Sequence, residues 1–191
     1  MKIHILSSTD RPGSNAMKVS EYAKEIISEN SDVEIFSLRD YPFHDVIGGK
    51  YGEDIESVKS FNRKFLDADG FLFVIPEYNG GFPGVLKVFY DYLPFPEAFQ
   101  RMPVSLIGEA AGAFGAMRPV EQFAQLLSYR KAHIFPDRMY IQRVNDSFDA
   151  KEGLKNENLQ KLLLTQLNDF TKFVKKINEK SVDFQHVTDT V

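Results

Sequence analysis

The sequence predicts an α/β fold of three layers, in which helices cover both faces of a five-stranded parallel sheet with the strand order 2-1-3-4-5. The first observation is that short apolar segments alternate five times with segments whose apolar residues recur every three or four positions. The second is that a chain of 191 residues, 43% hydrophobic and 26% charged, has the length and composition of one such domain. Five parallel strands joined by helices commonly adopt this order.

The elements follow one another as such a sheet requires. The apolar run from Ile3 to Leu6 predicts the first strand, and the pattern from Val19 to Ile27 predicts the first helix. The remaining elements are predicted at 33–38 (strand), 39–52 (loop), 53–67 (helix), 70–75 (strand), 84–93 (helix), 104–108 (strand), 117–129 (helix), 138–143 (strand) and 158–180 (helix). Because no Pro/Gly/Ser-rich linker divides the chain, we expect a single domain over 1–180 and a C-terminal tail over 181–191.

The composition argues against several classes of function. A net charge of -4 disfavours nucleic acid or an anionic membrane as the main partner. The lack of cysteine excludes disulfides and thiolate metal sites, and the four histidines have no metal-binding spacing. No apolar run approaches the roughly 20 residues that span a membrane, and the N-terminus lacks the layout of a signal peptide. We therefore expect a cytoplasmic protein without a metal, nucleic-acid or membrane partner.

The turn after the first strand, Ser7 to Asn15, has the composition of a phosphate-binding loop. The free N–H groups and the positive dipole end of the following helix favour an anion there. Thr9, Ser14 and Asn15 can donate hydrogen bonds, and Arg11 is a planar cation suited to a bidentate phosphate contact. The alternative is that Ser14 or Asn15 simply caps the helix, as such residues often do.

Two further turns are expected at the same edge of the sheet, because ligands of such folds lie beyond the carboxyl ends of the strands. In the turn at 76–84, Gly80 and Gly81 let the backbone approach a flat heterocycle with no Cβ in the way, and Tyr78 offers a ring beside it. The turn at 109–116 is small and nearly uncharged, so a large ring could lie against its backbone. The structural alternatives are a loop shaped by Pro and Gly alone, and close packing of helix on strand.

The polar residues of the first turn resemble a known motif. Thr9, Arg11, Ser14 and Asn15 stand where the NAD(P)H-dependent FMN reductase family has the polar residues of its G-S-x-R-x-x-S-N phosphate loop. This flavodoxin-like family includes quinone, azo-dye and chromate reductases. By this resemblance the four residues would hold the phosphate of FMN.

The resemblance continues in the other two turns and spans roughly residues 3 to 175. Residues 76–80 read P-E-Y-N-G, similar to the family signature that lies along the flavin ring, and residues 83–87 continue as P-G-V-L-K. Gly112 and Gly115 fall where the family's third loop meets the ring. The FMN-binding residues implied by the resemblance are Thr9, Arg11, Ser14, Asn15, Pro76, Glu77, Tyr78, Asn79, Gly80, Gly81, Gly112 and Gly115.

The resemblance implies a three-layer flavodoxin-like fold and an oxidoreductase that passes electrons from NADH or NADPH to FMN and on to a quinone, azo dye, chromate or free flavin. Because the flavin would carry the redox chemistry, no catalytic side chain is expected. It also implies a homodimer or homotetramer, for which an aromatic cluster between Phe89 and Phe99 is a candidate subunit seam.

Three departures from the family pattern affect the expected affinity for FMN. Ser8 replaces the usual Gly, Asp10 puts a negative charge beside the proposed phosphate, and Met17 stands where many members carry a basic residue. Two alternatives remain: a non-enzymatic FMN electron carrier of the flavodoxin type, and a flavin-free binding protein on the same fold. Arg11 and the P-E-Y-N-G segment favour the reductase over the carrier, because flavodoxins resemble T-G-N-T in the first loop.

Overall fold

A computed structural model describes residues 1–95 and 97–181, and it contains the predicted sheet and helical layers. The strands are β1 (Lys2–Ser7), β2 (Asp32–Ser37), β3 (Gly70–Pro76), β4 (Pro103–Glu109) and β5 (His133–Ile141), followed by a hairpin of β6 (Phe148–Asp149) and β7 (Gly153–Leu154). The helices are α1 (Asn15–Ile27), α2 (Phe43–Val46), α3 (Glu56–Leu66), α4 (Gly84–Asp91), α5 (Met117–Tyr129), α6 (Val144–Ser147) and α7 (Glu157–Ser181). The main sheet is parallel throughout and has the order β2-β1-β3-β4-β5, so the predicted fold class is confirmed.

The central strand β3 is buried at every position and reads as one apolar run, because helices cover both faces of the sheet. Successive side chains point to opposite faces: Leu72 and Val74 join one core cluster, while Phe71 and Phe73 join the other. The carboxyl ends of β1, β3 and β4 therefore lie side by side at one edge of a rigid sheet.

The two helical layers differ in composition. On one face, α1 and α7 pack aliphatic side chains such as Val19 and Leu167 against the sheet. On the other face, α3, α4 and α5 contribute a cluster of phenylalanines, in which the rings of Phe65 and Phe89 lie 5.2 Å apart. Such edge-on aromatic contacts add to the stability that burial alone provides. Many of the 17 phenylalanines therefore serve the core.

The prediction that the aromatic cluster between Phe89 and Phe99 forms a subunit seam is wrong for Phe89 and Phe99 themselves. Both side chains are fully buried in the core of their own chain. The segment after α4 folds back because the buried guanidinium of Arg130 donates to the carbonyl groups of that segment, at 2.8 Å in the case of Pro94. Of the cluster, Phe95 remains 57% exposed, and its ring stacks on that of Tyr129.

The last strand of the sheet begins earlier than predicted, at His133 rather than near 138. Pro136 argues against a strand in the sequence pattern, because proline has no N–H to donate to a strand ladder. It is tolerated only at an edge strand or a bulge. Both conditions hold here: β5 is the edge strand, and its register against β4 shifts between Val104 and Leu106.

Two predicted loops also contain short elements. The loop at 39–52 includes α2 and begins within a single 3₁₀ turn at Leu38–Asp40. The segment before α7 contains α6 and the β6–β7 hairpin. Elements of two to four residues carry too few side chains to show a periodic pattern. The predicted tail lies mainly at 182–191, outside the described residues.

Candidate functional site

The turns after β1, β3 and β4 converge on one cleft of about 320 Å³ at the carboxyl edge of the sheet. This is the place that doubly wound sheets use for ligands. Six of the predicted residues line it together with five others: Arg11, Pro12, Gly13, Ser14, Asn15, Pro76, Glu77, Tyr78, Glu109, Ala110 and Ala111. The sequence-predicted site therefore has a common core in space, although its three turns are well separated along the chain.

Arg11 and Tyr78 join the first two turns. The guanidinium carbon of Arg11 lies 3.8 Å from the centre of the Tyr78 ring, a cation–π contact that holds both side chains at the cleft. The Tyr78 hydroxyl shares a 2.8 Å hydrogen bond with the buried hydroxyl of Thr9. Burial raises the pKa of Tyr78, so its hydroxyl stays neutral near pH 7. Thr9 thus helps to position Tyr78.

The start of α1 also lines the cleft. The Ser14 hydroxyl accepts a hydrogen bond from the N–H of Met17 at 3.2 Å, so the capping interpretation holds for Ser14. A hydroxyl that accepts one bond can still donate its proton to an anion, so capping does not conflict with phosphate binding. The Asn15 amide donates to Asn145 at 2.8 Å, and its oxygen accepts from Lys18 at 3.3 Å.

The P-E-Y-N-G segment ends in a tight hairpin. Tyr78 and Gly81 exchange two backbone hydrogen bonds of 2.9 and 3.1 Å, and the residues between them, Asn79 and Gly80, have φ values of +52° and +82°. Two successive positive φ angles define the type I′ turn for which Asn-Gly is the preferred sequence. The N–H of Gly81 is therefore engaged by Tyr78, whereas the tip N–H groups of Asn79 and Gly80 take no part in this pair.

Valine in place of Gly80 should disturb this tip. A β-branched residue at φ +82° costs roughly 1–3 kcal/mol, so we expect a lower free energy of unfolding and a lower flavin content for Gly80→Val. Gly84→Val is the matched control, because Gly84 is not in the left-handed region and no atom lies within 4 Å of a Cβ added there. Urea unfolding and flavin absorbance measure both effects; equal behaviour of the two variants would contradict the prediction.

Glu77 is tied to the third turn and to α5. Its carboxylate accepts a hydrogen bond of 3.0 Å from Arg118, whose guanidinium carbon lies 4.6 Å from the centre of the Phe114 ring. The Glu77 N–H also donates to the carbonyl of Glu109 at 3.1 Å, which extends the β3–β4 ladder by one bond. Glu77 therefore links the second turn to the third within one chain.

Glu109 is the one ionisable residue of the cleft lining that the sequence analysis did not assign to the site. It ends β4, is only 5% exposed, and lines the cleft beside the first turn. Burial raises the pKa of its carboxyl to about 7, while a hydrogen bond from the backbone N–H of Ala16 and the charge of Lys18 act in the opposite direction. The sequence shows an ionisable residue at the end of an apolar strand, but it does not show that this residue is buried.

The two predicted glycines of the third turn lie outside the lining of this cleft. The carbonyl of Gly112 accepts a hydrogen bond from the N–H of Arg143 at 2.9 Å. Gly115 has φ +57°, and a Cβ added to it would lie 2.6 Å from the carbonyl carbon of Tyr140. Close packing on β5 thus gives Gly115 a structural reason to be glycine.

The residues of the cleft fit the phosphate end of FMN. A guanidinium, a hydroxyl with a proton to donate and the start of a thirteen-residue helix surround the same space. Within residues 1–95 and 97–181, no group of three or more His, Asp or Glu side chains could hold a metal ion. None of the described helices is both long and apolar enough to cross a membrane.

Three known proteins are similar to this chain over two thirds of its length or more. An NAD(P)H-dependent FMN reductase of Pseudomonas aeruginosa is 25% identical over 186 residues, which cover 93% of this chain and 97% of that protein. A 2-hydroxy-1,4-benzoquinone reductase of a Burkholderia species is 30% identical over 140 residues, 68% of this chain and 76% of that protein. The structure of the flavoenzyme NAD(P)H:(acceptor) oxidoreductase FerB from Paracoccus denitrificans superposes with a TM-score of 0.77 at 20% identity, covering 92% of this chain and 97% of that one.

The family model described as NADPH-dependent FMN reductase matches residues 1–146. That stretch contains all five strands of the main sheet and the three turns of the cleft. The chain therefore belongs to the NADPH-dependent FMN reductase family.

Proposed function

We propose that this chain oxidises NADH or NADPH with FMN held at the cleft, and that a small quinone is its electron acceptor. Membership of the FMN reductase family supports the first part. The quinone is supported by the similarity to the Burkholderia benzoquinone reductase. Azo dyes, chromate and free flavin are further acceptors that the same chemistry would serve. The observation that carries the proposal is the convergence of three separate turns on one cleft that contains Arg11 and the start of α1.

In this proposal the turn after β1 binds the phosphate. Arg11 would pair with it in the plane of its guanidinium, Ser14 would donate its hydroxyl proton, and the first turn of α1 would contribute its positive dipole end. The Tyr78 ring keeps the Arg11 guanidinium in place through their 3.8 Å stacking contact. These groups retain the cofactor and do not take part in electron transfer.

The second and third turns would position the ring. The tip of the Asn79–Gly80 turn presents backbone N–H groups in a fixed direction, because two left-handed residues leave it little freedom. The Glu77–Arg118 ion pair holds this turn against α5. FMN bound there would supply the redox chemistry, accepting a hydride from the nicotinamide and passing electrons to the acceptor. The roles of Gly112 and Gly115 along the ring remain part of the proposal.

Purification and a turnover assay test the function. We expect the purified protein to be yellow, to release FMN on denaturation, and to oxidise NADH or NADPH in the presence of a benzoquinone. A protein that takes up FMN but oxidises neither nucleotide would instead be an electron carrier of the flavodoxin type. A protein that binds no flavin would contradict the proposal altogether.

We also propose that the protein is a cytoplasmic homodimer or homotetramer. The supporting feature is a pair of exposed aromatic rings, Phe95 and Tyr129, whose centroids lie 5.9 Å apart with nearly parallel planes. Their exposed fractions are 57% and 73%. Light scattering on the sample used for the turnover assay gives the mass of the assembly.

A further inference from the structure

Glu109 places a carboxyl group in the cleft proposed for the phosphate of FMN. The backbone N–H of Ala16, in the first turn of α1, faces this carboxyl closely enough to lower the pKa of Glu109 against the effect of burial. The free N–H groups of a first helical turn are the donors that an incoming phosphate would use. The side chain is almost fully buried and lines the same cleft as Arg11 and Ser14. A carboxylate and a phosphate would therefore share one set of donors.

We propose that Glu109 determines the affinity of the cleft for the phosphate of FMN, because its ionised carboxylate competes with that phosphate for the start of α1 and repels it. This inference rests on the proposed function, since it assumes that FMN binds here. Glu109 acts on cofactor binding and takes no part in electron transfer. Its protonated form leaves the N–H donors to the phosphate and can itself donate a hydrogen bond.

The direction of the pH dependence follows from the burial of Glu109. Because burial raises its pKa to about 7, the side chain is largely neutral below that pH and ionised above it. Binding of a dianionic phosphate should therefore weaken as the pH rises through 7. Conversely, FMN bound above pH 7 should draw a proton onto Glu109, since each binding event favours the other.

Charged or ionisable groups lie near Glu109 on three neighbouring elements: α1, the turn after β3 and the turn after β1. Lys18 on α1 stabilises its ionised form. From the second turn, Tyr78 is near enough for the charge of Glu109 to act on its hydroxyl, and Glu77 lines the same cleft. Arg11 and Asp10 belong to the first turn, where their charges oppose each other.

On the remaining side, backbone groups surround the residue that follows Glu109. The N–H of Ala110 donates to the carbonyl of Ile141 at 3.0 Å, and the carbonyl of Ala110 accepts from the N–H of Val144 at 3.0 Å. These bonds fix the end of β4 against β5 and α6. Glu109 is therefore held at the cleft, so a change of protonation alters its charge more than its position.

The experiment measures the FMN dissociation constant between pH 6.5 and 8.5 by quenching of flavin fluorescence. Over this range the phosphate of FMN is mostly dianionic, since its second pKa is about 6. We expect the wild-type constant to rise about tenfold, the effect of a like charge a few ångströms away in a partly hydrated site. Glu109→Gln, which retains an oxygen to accept from Ala16, should have a nearly flat profile and bind more tightly at pH 8.5.

Two controls separate charge at this position from other effects. Riboflavin has the same ring without the phosphate, so its binding to the wild type should change little with pH. Glu21→Gln removes an exposed carboxylate from α1 and should keep the wild-type profile.

A separate measurement needs no variant. Calorimetry of the wild type near pH 8, in buffers of different ionisation enthalpy, should reveal uptake of up to about one proton per FMN bound.

The outcomes distinguish this inference from the function on which it rests. Equal pH profiles of FMN binding in the wild type and Glu109→Gln, or binding by the wild type without proton uptake, would overturn the role of Glu109 and leave the proposed function intact. Should Glu109→Gln fail to fold, the proton uptake of the wild type decides. Absence of FMN binding at every pH would overturn both.

Discussion

Arg11→Ala should bind FMN about ten- to a hundredfold more weakly than the wild type, the range expected when a charge-assisted hydrogen bond to phosphate is lost. The substitution also removes the cation–π contact with Tyr78, whose centroid lies 3.8 Å from the guanidinium carbon. The fold should be retained, because Arg11 is exposed and lies in a turn. Titration of the flavin-free protein with FMN, followed by fluorescence quenching, measures the effect.

Two comparisons sharpen this result. Arg39→Ala removes an exposed arginine from the 3₁₀ turn after β2, which does not line the cleft, and should leave FMN binding unchanged. Arg11→Lys retains the charge but not the planar fork, so it should bind with intermediate affinity. Wild-type affinity in Arg11→Ala would show that the phosphate lies elsewhere.

Gly115→Ala should lower the free energy of unfolding by roughly 2–4 kcal/mol, which is large for one methyl group. The residue has φ +57°, and the added Cβ would lie 2.6 Å from the carbonyl carbon and 2.7 Å from the carbonyl oxygen of Tyr140. These are backbone atoms of β5 and cannot move aside as a flexible side chain would. Relief requires the third turn to shift away from the sheet, so the cleft should change shape as well.

Gly112→Ala is the matched control within the same turn. Its φ is not in the left-handed region, and no atom lies within 4 Å of a Cβ added there. We expect its free energy of unfolding to stay within about 0.5 kcal/mol of the wild type. Urea unfolding of the flavin-free proteins, followed by circular dichroism, compares the two variants; equal stability would contradict the packing contact assigned to Gly115.

The sheet was predictable because its strands carry strong local signals. β3 is an uninterrupted apolar run, and α5 was predicted with both of its ends, Met117 and Tyr129. The start of β5 was not predictable, because Pro136 is tolerated there only through the edge position and the shifted register, and both depend on the neighbouring strand. Local sequence patterns thus predicted the order of the elements. They did not predict the start of β5, because it depends on contacts with a neighbouring strand.

The site shows the same division. The first two turns could be placed together, since the carboxyl ends of neighbouring parallel strands share one edge. The sequence could not reveal the hydrogen-bond partner of each hydroxyl group. Thr9 bonds to Tyr78, and Ser14 caps α1. Glu109 was hidden for another reason. Its importance arises from burial beside a helix start more than ninety residues earlier in the chain, and no local pattern reports burial.

Pro136 has a further consequence for how copies of this chain could meet. An exposed sheet edge is a template on which another molecule can add a strand and continue the hydrogen-bond ladder. At β5 that template is interrupted, because one residue offers no amide hydrogen and the neighbouring spacing is irregular. Addition of a strand along this border is therefore disfavoured.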